Sequence, residues 1–286
     1  MALKEIKNRI NSVRSTQKIT SAMKMVSSAK LRKAQRTIEG AYPYKQKLSE
    51  ILTNFAGSAN ENLAQSPLME KREIQKITIV AVSSNSSLCG SFNTNIAKQL
   101  IAVLDSYKNI EKQNINIFAI GKKIANFCKK IGFVPVYQNN NIAEKPDYEG
   151  ATLVANKLIE SFLGKETDEV ILIYHHFKNK AVQVVTTHNF LPFEIKKEKK
   201  TFSDDYIVEP NSQRIIEQLV PYVLRNEIYT TLLDSIASEH AARTLAMQTA
   251  TDNADDLLQE LSLQYNKQRQ QAITSELLDI VGGSTE

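Results

Sequence analysis

Residues 229–261 read YTTLLDSIASEHAARTLAMQTATDNADDLLQEL, and their spacing decides the fold. Tyr229, Leu233, Ile236, His240, Arg243, Met247, Ala250, Ala254, Leu257 and Leu261 follow one another at alternating steps of four and three. A 4-3 repeat keeps one stripe of a helix against a partner helix over many turns and implies a left-handed supercoil. The stripe includes Ala, His and Arg, so the pairing is looser than a leucine zipper. Beyond Leu261 it turns polar at Gln264, Gln268 and Gln271, and apolar residues then return at Ile273, Leu277, Leu278, Ile280 and Val281. The end of the segment reads as an apolar tip beyond a polar neck.

The partner is at the other end of the chain. The 286 residues hold nine Gly and seven Pro, yet neither type occurs in residues 1–39 or 222–281. Gly and Pro are what interrupt helices. At about 1.5 Å per residue the two segments reach roughly 58 Å and 90 Å. Helices of that length must lie against each other or against another protein. The N-terminal segment shows a seam at Leu3, Ile6, Ile10 and Val13, which is expected to resume out of phase at Ile19, Ala22, Val26 and Ala29 after the polar run Arg14–Lys18. Its charge is lopsided. Ten Lys or Arg stand against Glu5 and Glu39, a net of +8 inside a chain whose total is +5. Such a helix suits an anionic surface: nucleic acid, lipid or acidic protein.

From about residue 74 the period changes. Ile77–Val82 is a β-branched run of strand length, and Ile115–Ile120, Val134–Tyr137, Val170–Tyr174 and Val182–Thr187 are further strands. Between them, Asn93–Lys108 (with Ile96, Leu100, Val103, Leu104 and Tyr107 on one face), Lys122–Ile131 and Tyr148–Leu163 read as helices. Alternating strands and helices predict an α/β, Rossmann-like sheet with mostly parallel strands. Phe193–Pro210 reads as a linker or edge hairpin. The expected fold is therefore α/β plus long helices: an antiparallel coiled coil of N- and C-terminal helices with an inserted α/β domain. The expected divisions are 1–60 (N-terminal coiled-coil helix), 70–200 (α/β domain) and 205–286 (C-terminal helix pairing with 1–60).

The middle lacks the marks of catalysis. A nucleotide-binding α/β domain needs a Gly-rich turn after its first strand. Here the turn is Ser83–Ser91, with Gly90 as its one glycine. It reads as a plain loop rather than a phosphate site. Cys89 reads as a structural thiol, since no nucleophile elbow surrounds it. His175 and His176 are adjacent in a strand and point to opposite faces, which makes a poor chelating pair. His188 stands alone, and His240 fits a polar layer that fixes register. Two cysteines make neither a disulfide framework nor a zinc set, and a reducing compartment fits them. No apolar run nears the 18–20 residues of a bilayer span, and no secretory signal opens the chain. Three readings remain: an enzyme without a motif, a basic helical nucleic-acid-binding protein, and a mechanical or scaffold part that enters a partner's cavity.

Four blocks carry a resemblance. Lys18–Arg36, Leu88–Ile96, Ser238–Ala254 and Ile273–Gly283 look like, in order, the N-terminal helix, the turn after the first strand, the C-terminal helix and the terminal signature of the gamma subunits of F-type ATP synthases. Asn85-Ser86-Ser87 stands where that family usually has Asp-Arg-Gly, and Gly282-Gly283 where it has Gly-Ala. The resemblance implies a rotary central stalk that couples proton flow to ATP synthesis and hydrolysis. Such a chain has no catalytic site and no cofactor of its own. It implies alpha and beta subunits, the epsilon subunit and the c-subunit ring as partners, with no nucleic acid and no small-molecule substrate. It also implies a peripheral place on the cytoplasmic face of the bacterial inner membrane. By the same carry-over, Met23, Lys24, Arg243, Gln270 and Thr274 contact beta, and Ile273, Leu277, Leu278, Ile280 and Val281 form a bearing tip. Tyr206 and Glu209 belong to a foot facing the c ring and epsilon. Core packing is the other reading of Met23, and a snorkelling seam residue the other reading of Arg243.

Overall fold

The computed structural model describes residues 3–58, 66–195 and 212–283. Its elements in chain order are α1 (Leu3–Ser58), β1 (Ile77–Val82), α2 (Phe92–Ser106), β2 (Ile115–Ile120), α3 (Lys122–Lys130), β3 (Tyr137–Asn139), α4 (Asn141–Glu144), α5 (Tyr148–Leu163), β4 (Glu169–Phe177), β5 (Gln183–Leu191) and α6 (Ser212–Gly283). By internal contacts the chain forms two units: residues 30–242, and residues 1–29 with 243–286.

The larger unit is built on a five-stranded sheet in the order β3-β2-β1-β4-β5. β1 lies parallel to β2 and to β4, β2 lies parallel to β3, and only β5 runs antiparallel, as the second strand of a hairpin with β4. Strands buried on both faces read as continuous apolar runs, and every residue of β1 is buried. One face of the sheet packs on α2 and α3 through Ile96, Leu100, Ile124 and Cys128. The other packs on α5 and α6 through Val154, Leu158, Phe162, Val220, Leu224 and Ile228, joined by Leu52 of α1. In this unit α1 and α6 also meet directly, Leu31, Ala34 and Ile38 against Leu233, Ala237 and Ala241.

Several expectations shift. The third strand begins at Tyr137 rather than Val134: Val134 and Val136 are exposed, and Val136 approaches β2 through its N–H, which donates to the Ile117 carbonyl at 2.9 Å. β4 and β5 extend to nine residues each, since antiparallel pairing lengthens both. Gly40 and Pro43 do not end α1, and Pro221 does not end α6. An internal proline costs about 3 kcal/mol. Leu48 and Leu52 beyond Pro43, and Val220, Leu224 and Ile228 around Pro221, are all buried. At about 1.5–3 kcal/mol per buried aliphatic side chain, that burial outweighs the lost backbone hydrogen bond.

The smaller unit pairs the start of α1 with the C-terminal part of α6. Gln17 donates to Asp255 at 3.0 Å, the Thr20 and Thr251 hydroxyls meet at 2.8 Å, and Lys24 donates to Gln248 at 2.7 Å. From residue 17 to 24 the α1 number rises by seven while its α6 partner falls from 255 to 248, so the helices run antiparallel. The α6 seam at Met247, Ala254 and Leu261 is buried as its spacing requires.

The α1 seam differs from expectation. Ile6, Ile10, Val13, Gln17, Thr20, Lys24, Ser27, Leu31, Ala34 and Ile38 form one unbroken 4-3 series, and each is buried or half-buried. Ile19, Ala22, Val26 and Ala29 point outward instead, with Ile19 60% and Val26 57% exposed. The reason is geometric. A helix cannot change its paired face without a stutter, so the polar residues in phase are buried and the apolar residues out of phase are not.

Candidate coupling surface on the helix pair

The geometry of the smaller unit sorts the candidate residues into three groups. On the seam, Lys24 is half-buried and its Nζ donates to Gln248 Oε1, while Gln248 Nε2 donates to Asp252 Oδ1 at 2.6 Å. Arg243 is also on the seam and only 7% exposed. Met23 is half-buried beside Lys24. On the outer face of α1 are Ile19, Ala22, Met25, Val26 and Ala29, all exposed. With them go the basic side chains: nine of the ten Lys and Arg in residues 4–36 are exposed, Lys24 being the exception. That face is apolar and cationic together.

The third group is the end of α6. The pairing register sets residue 251 against residue 20 and residue 255 against residue 17. Continued to Leu3, where α1 begins, it sets residue 269 near residue 3. α6 runs on to Gly283, so its last three turns extend past α1's first residues. Gln270 and Thr274 lie there, exposed, with the Thr274 hydroxyl donating to the Gln270 carbonyl at 2.9 Å. Ile273, Leu277, Leu278 and Ile280 are exposed as well. Val281 falls within α6, but its side chain lies outside the described residues, as do Tyr206 and Glu209 altogether. The structure thus brings Met23 and Lys24 together, and Gln270 with Thr274, while Arg243 joins neither pair at the surface. The apolar outer stripe was missed as a site because its residues were assigned to the seam. The continuous 4-3 phase through Gln17, Thr20, Lys24 and Ser27 was the signal that places it outside.

The α/β unit offers no comparable opening at the turn after β1. Donors at the end of β1 and the start of α3 are used within the fold. The Lys122 N–H donates to Asn85 Oδ1 at 3.0 Å, the Lys123 N–H to the Ser84 carbonyl at 3.2 Å, and the Ile124 N–H to Ser83 Oγ at 2.9 Å. The Ser84 N–H donates to Asn93 Oδ1 at 3.1 Å, and Asn93 Nδ2 lies 3.1 Å from Cys89 Sγ. Asn85 Nδ2 donates to the Asn140 carbonyl at 2.7 Å. This is why Asn fits position 85: it caps α3 with its oxygen and ties down the β3–α4 junction with its nitrogen. The turn is a latch between strand ends. Open α/β sheets bind ligands at the carboxyl ends of their strands. At the end of β4 the Phe92 ring stacks on His175 at 4.2 Å. Burial pushes the His175 imidazole down to about 4, so it stays neutral. His176 and His188 are taken by carboxylates, Asp234 at 2.8 Å and Glu227 at 3.0 Å. Among the described residues no group of three or more His, Cys, Asp or Glu could hold a metal ion. Among them, too, no helix is long and apolar enough to cross a membrane.

Comparison with known proteins gives a consistent result. The family model described as ATP synthase matches residues 2–285. The ATP synthase gamma chain of Phocaeicola vulgatus is 51% identical over 287 residues, covering 99% of each chain. That of Bacteroides fragilis is 52% identical over 288 residues, again covering 99% of each. Among solved structures, a chain of the Euglena gracilis mitochondrial ATP synthase (OSCP/F1/c-ring, rotational state 3) aligns with a TM-score of 0.68 at 19% identity, over 99% of this chain and 93% of that one. A chain of the Tetrahymena thermophila mitochondrial ATP synthase central stalk and c-ring aligns with a TM-score of 0.59 at 23% identity, over 81% and 99%. The likeness to the two solved chains is one of fold.

Proposed function

The chain belongs to the ATP synthase gamma chain family, and on that premise we propose that it works as the central rotor stalk, coupling ion flow through the membrane sector to ATP synthesis and hydrolysis. It is a coupling subunit of that complex and not its catalyst. The observation that carries the reading is the inverted surface of the helix pair. Its polar residues Gln17, Thr20, Lys24 and Ser27 are turned inward, while Ile19, Met25, Val26 and the α6 end from Ile273 to Ile280 are left outward. Uncovered apolar surface of this kind belongs inside a partner. The basic face around it fits acidic protein loops, and the nucleic-acid reading finds no support in the family.

The finer assignments follow from the same premise. Residues 1–60 and 205–286 form the shaft, and residues 70–200 the α/β domain. The shaft occupies the cavity of the alpha and beta hexamer, and the epsilon subunit and c-subunit ring meet the other end of the stalk through a foot containing Tyr206 and Glu209. Met23, Lys24, Arg243, Gln270 and Thr274 contact beta, Arg243 by leaving its seam position when beta presents an acceptor. Ile273, Leu277, Leu278, Ile280 and Val281 turn in a sleeve of alpha and beta. The complex is peripheral to the membrane through its rotor, on the cytoplasmic face. A shaft with different residues on each side stabilises the conformers of the beta subunits unequally. A partner shifts an equilibrium only through such unequal contacts, and turning the shaft passes the preference from one beta to the next.

The test is reconstitution with the alpha and beta subunits of the same organism, at low and at moderate salt. The expected product holds one copy of this chain per hexamer and hydrolyses ATP faster than the hexamer alone. No complex at either salt refutes the reading. Within the complex, Arg243→Ala is expected to slow coupled ATP synthesis more than it lowers assembly, and unchanged coupling would remove Arg243 from the contact set.

A further inference from the structure

The face of α6 that lies on the β4–β5 hairpin is polar at regular steps. Glu227, Asp234 and Ser238 are spaced by seven and four residues, which puts them on one side of the helix. Each is tied to the hairpin. The Ser238 hydroxyl donates to the His175 carbonyl at 3.3 Å, His176 Nδ1–H donates to Asp234 Oδ2 at 2.8 Å, and His188 Nε2–H donates to Glu227 Oε1 at 3.0 Å. Tyr174 meets the His188 ring edge-on at 5.7 Å. α1 joins at the same place, where the Tyr42 hydroxyl donates to Asp234 Oδ2 at 3.4 Å and Lys45 acts on that carboxylate through space. One oxygen of Asp234 therefore takes donors from a strand and from a second helix. All of these residues lie in the larger unit.

Stability alone does not explain the arrangement. The Asp234 side chain is only 8% exposed, and burial pushes its carboxyl upward despite the opposing pull of His176, Lys45 and Tyr42. Burying an ionised pair is often no better for stability than apolar packing of the same shape. The neighbouring contact is apolar: Leu31, Ala34 and Ile38 of α1 pack with Leu233, Ala237 and Ala241 of α6. Apolar contact is non-directional. Apolar helix faces carry no directional bond that holds one rotation against another. Hydrogen bonds are directional; the His176 bond to Asp234 is short at 2.8 Å and the Tyr42 contact longer at 3.4 Å. Donors arriving at Asp234 from β4 and α1 fix the rotation of α6 about its axis and the place of α1 beside it.

We propose that Asp234, held by His176 and Tyr42, is the positioning residue that locks the α1 and α6 segments of this unit to the sheet against turning. The inference rests on the rotor reading, because such a lock matters only if the sheet and the helices pass torque between them. Without it the helices slip at the junction, and part of each rotation is lost as backlash. Hydrolysis in the hexamer continues, while pumping per ATP falls.

The experiment uses the assembled ATP synthase in membrane vesicles. It measures ATP hydrolysis per complex and proton pumping per ATP hydrolysed. Asp234→Leu is expected to assemble and hydrolyse near the wild-type level but to pump roughly three- to tenfold less per ATP, the factor that one hydrogen bond of ordinary net strength sets on an equilibrium. Asp234→Asn, whose side-chain oxygen still accepts from Tyr42, is expected to retain more pumping than Asp234→Leu. If the leucine variant does not assemble, His176→Ala and Tyr42→Phe carry the test, with intermediate losses of pumping and normal assembly. Pumping per ATP at the wild-type level in the assembled variants overturns the proposal. So does a loss only in proportion to assembly and hydrolysis, which marks a merely structural role. The rotor reading fails differently: vesicles whose pumping does not depend on this chain at all.

Discussion

Thr20 and Thr251 allow the buried polar seam to be tested by a double-mutant cycle. Both are nearly buried, and their hydroxyls meet at 2.8 Å across the two helices. Thr20 Oγ1 is also 3.0 Å from the Gln17 carbonyl, and Thr251 Oγ1 is 2.8 Å from the Met247 carbonyl. Two hydroxyl protons thus serve three contacts, and only one proton can cross between the helices. Replacing either threonine by valine leaves the other hydroxyl a carbonyl of its own helix to donate to, so no donor is stranded. Valine and threonine share shape and β-branching, so helix propensity changes little. The single variants therefore lose one cross-helix hydrogen bond, about 1 kcal/mol each. The double variant replaces the bond by two methyl groups in contact, and replacing both partners by apolar groups of the same shape is close to neutral. The coupling between the sites is then about 2 kcal/mol, opposite in sign to the single losses. Hydrogen exchange of the amides in residues 17–27 reads it out. Each single variant is expected to exchange about fivefold faster and the double variant near the wild-type rate. A double variant that loses the sum of the two singles would falsify the reasoning, because the hydroxyls would then act independently.

Gly121 enters α3 at φ +104°, and a Cβ there would lie 2.2 Å from the Ser83 carbonyl oxygen; Gly121→Ala is expected to cost at least about 3 kcal/mol, read as a lower urea midpoint, and a midpoint within error of wild type contradicts the crowding. His175 stays neutral in the fold because burial lowers it to about 4, whereas the unfolded chain protonates near 6.5. Its contribution to stability is therefore present above about pH 6.5 and lost as pH falls towards 4. His175→Phe is expected to flatten that acid limb in thermal melts taken across the window, and an unchanged limb contradicts it. Val26→Asp is expected to leave the chain's own melting temperature unchanged and to lower the yield of complex with alpha and beta subunits, whereas Leu31→Asp is expected to destabilise the chain itself. Equal effects of the two on melting contradict the outward placement of Val26.

Much of this was legible because the local signals agreed with one another. Ile115–Ile120 was bounded correctly because its largely apolar run ends at Gly121. The α6 seam was legible because its 4-3 spacing holds for ten positions, all but His240 and Arg243 apolar or aromatic. The Gly- and Pro-free stretches alone understate the long helices, since Pro43 and Pro221 carry a local penalty that distant packing outweighs. The α1 seam failed for a sharper reason. Apolar and polar residues exchange their usual places there, and hydrophobicity by itself names the wrong face. Only the unbroken 4-3 phase identifies the buried residues, because phase is set by helix geometry and not by side-chain chemistry. The divalent hold on Asp234 left no local trace at all, since Tyr42, His176 and Asp234 are brought together from three elements far apart in the chain.

That exchange of places bears on how the smaller unit is stabilised. Most helix stability comes from burying an apolar face. Here the paired face buries Gln17, Thr20, Lys24 and Ser27, while Ile19, Met25 and Val26 remain in water. Polar layers fix register but add little to net stability, as a single polar layer does in a coiled coil. The register of α1 against α6 is thus specified by the chain, and the larger part of the apolar burial is left to whatever encloses the pair. A protein that binds only the paired form stabilises it through mass action. Exchange in residues 17–27 should therefore slow on assembly with the hexamer by more than exchange in β1, whose six residues are already buried. Equal slowing in both segments would mean that the helix pair does not draw its stability from the enclosing surface.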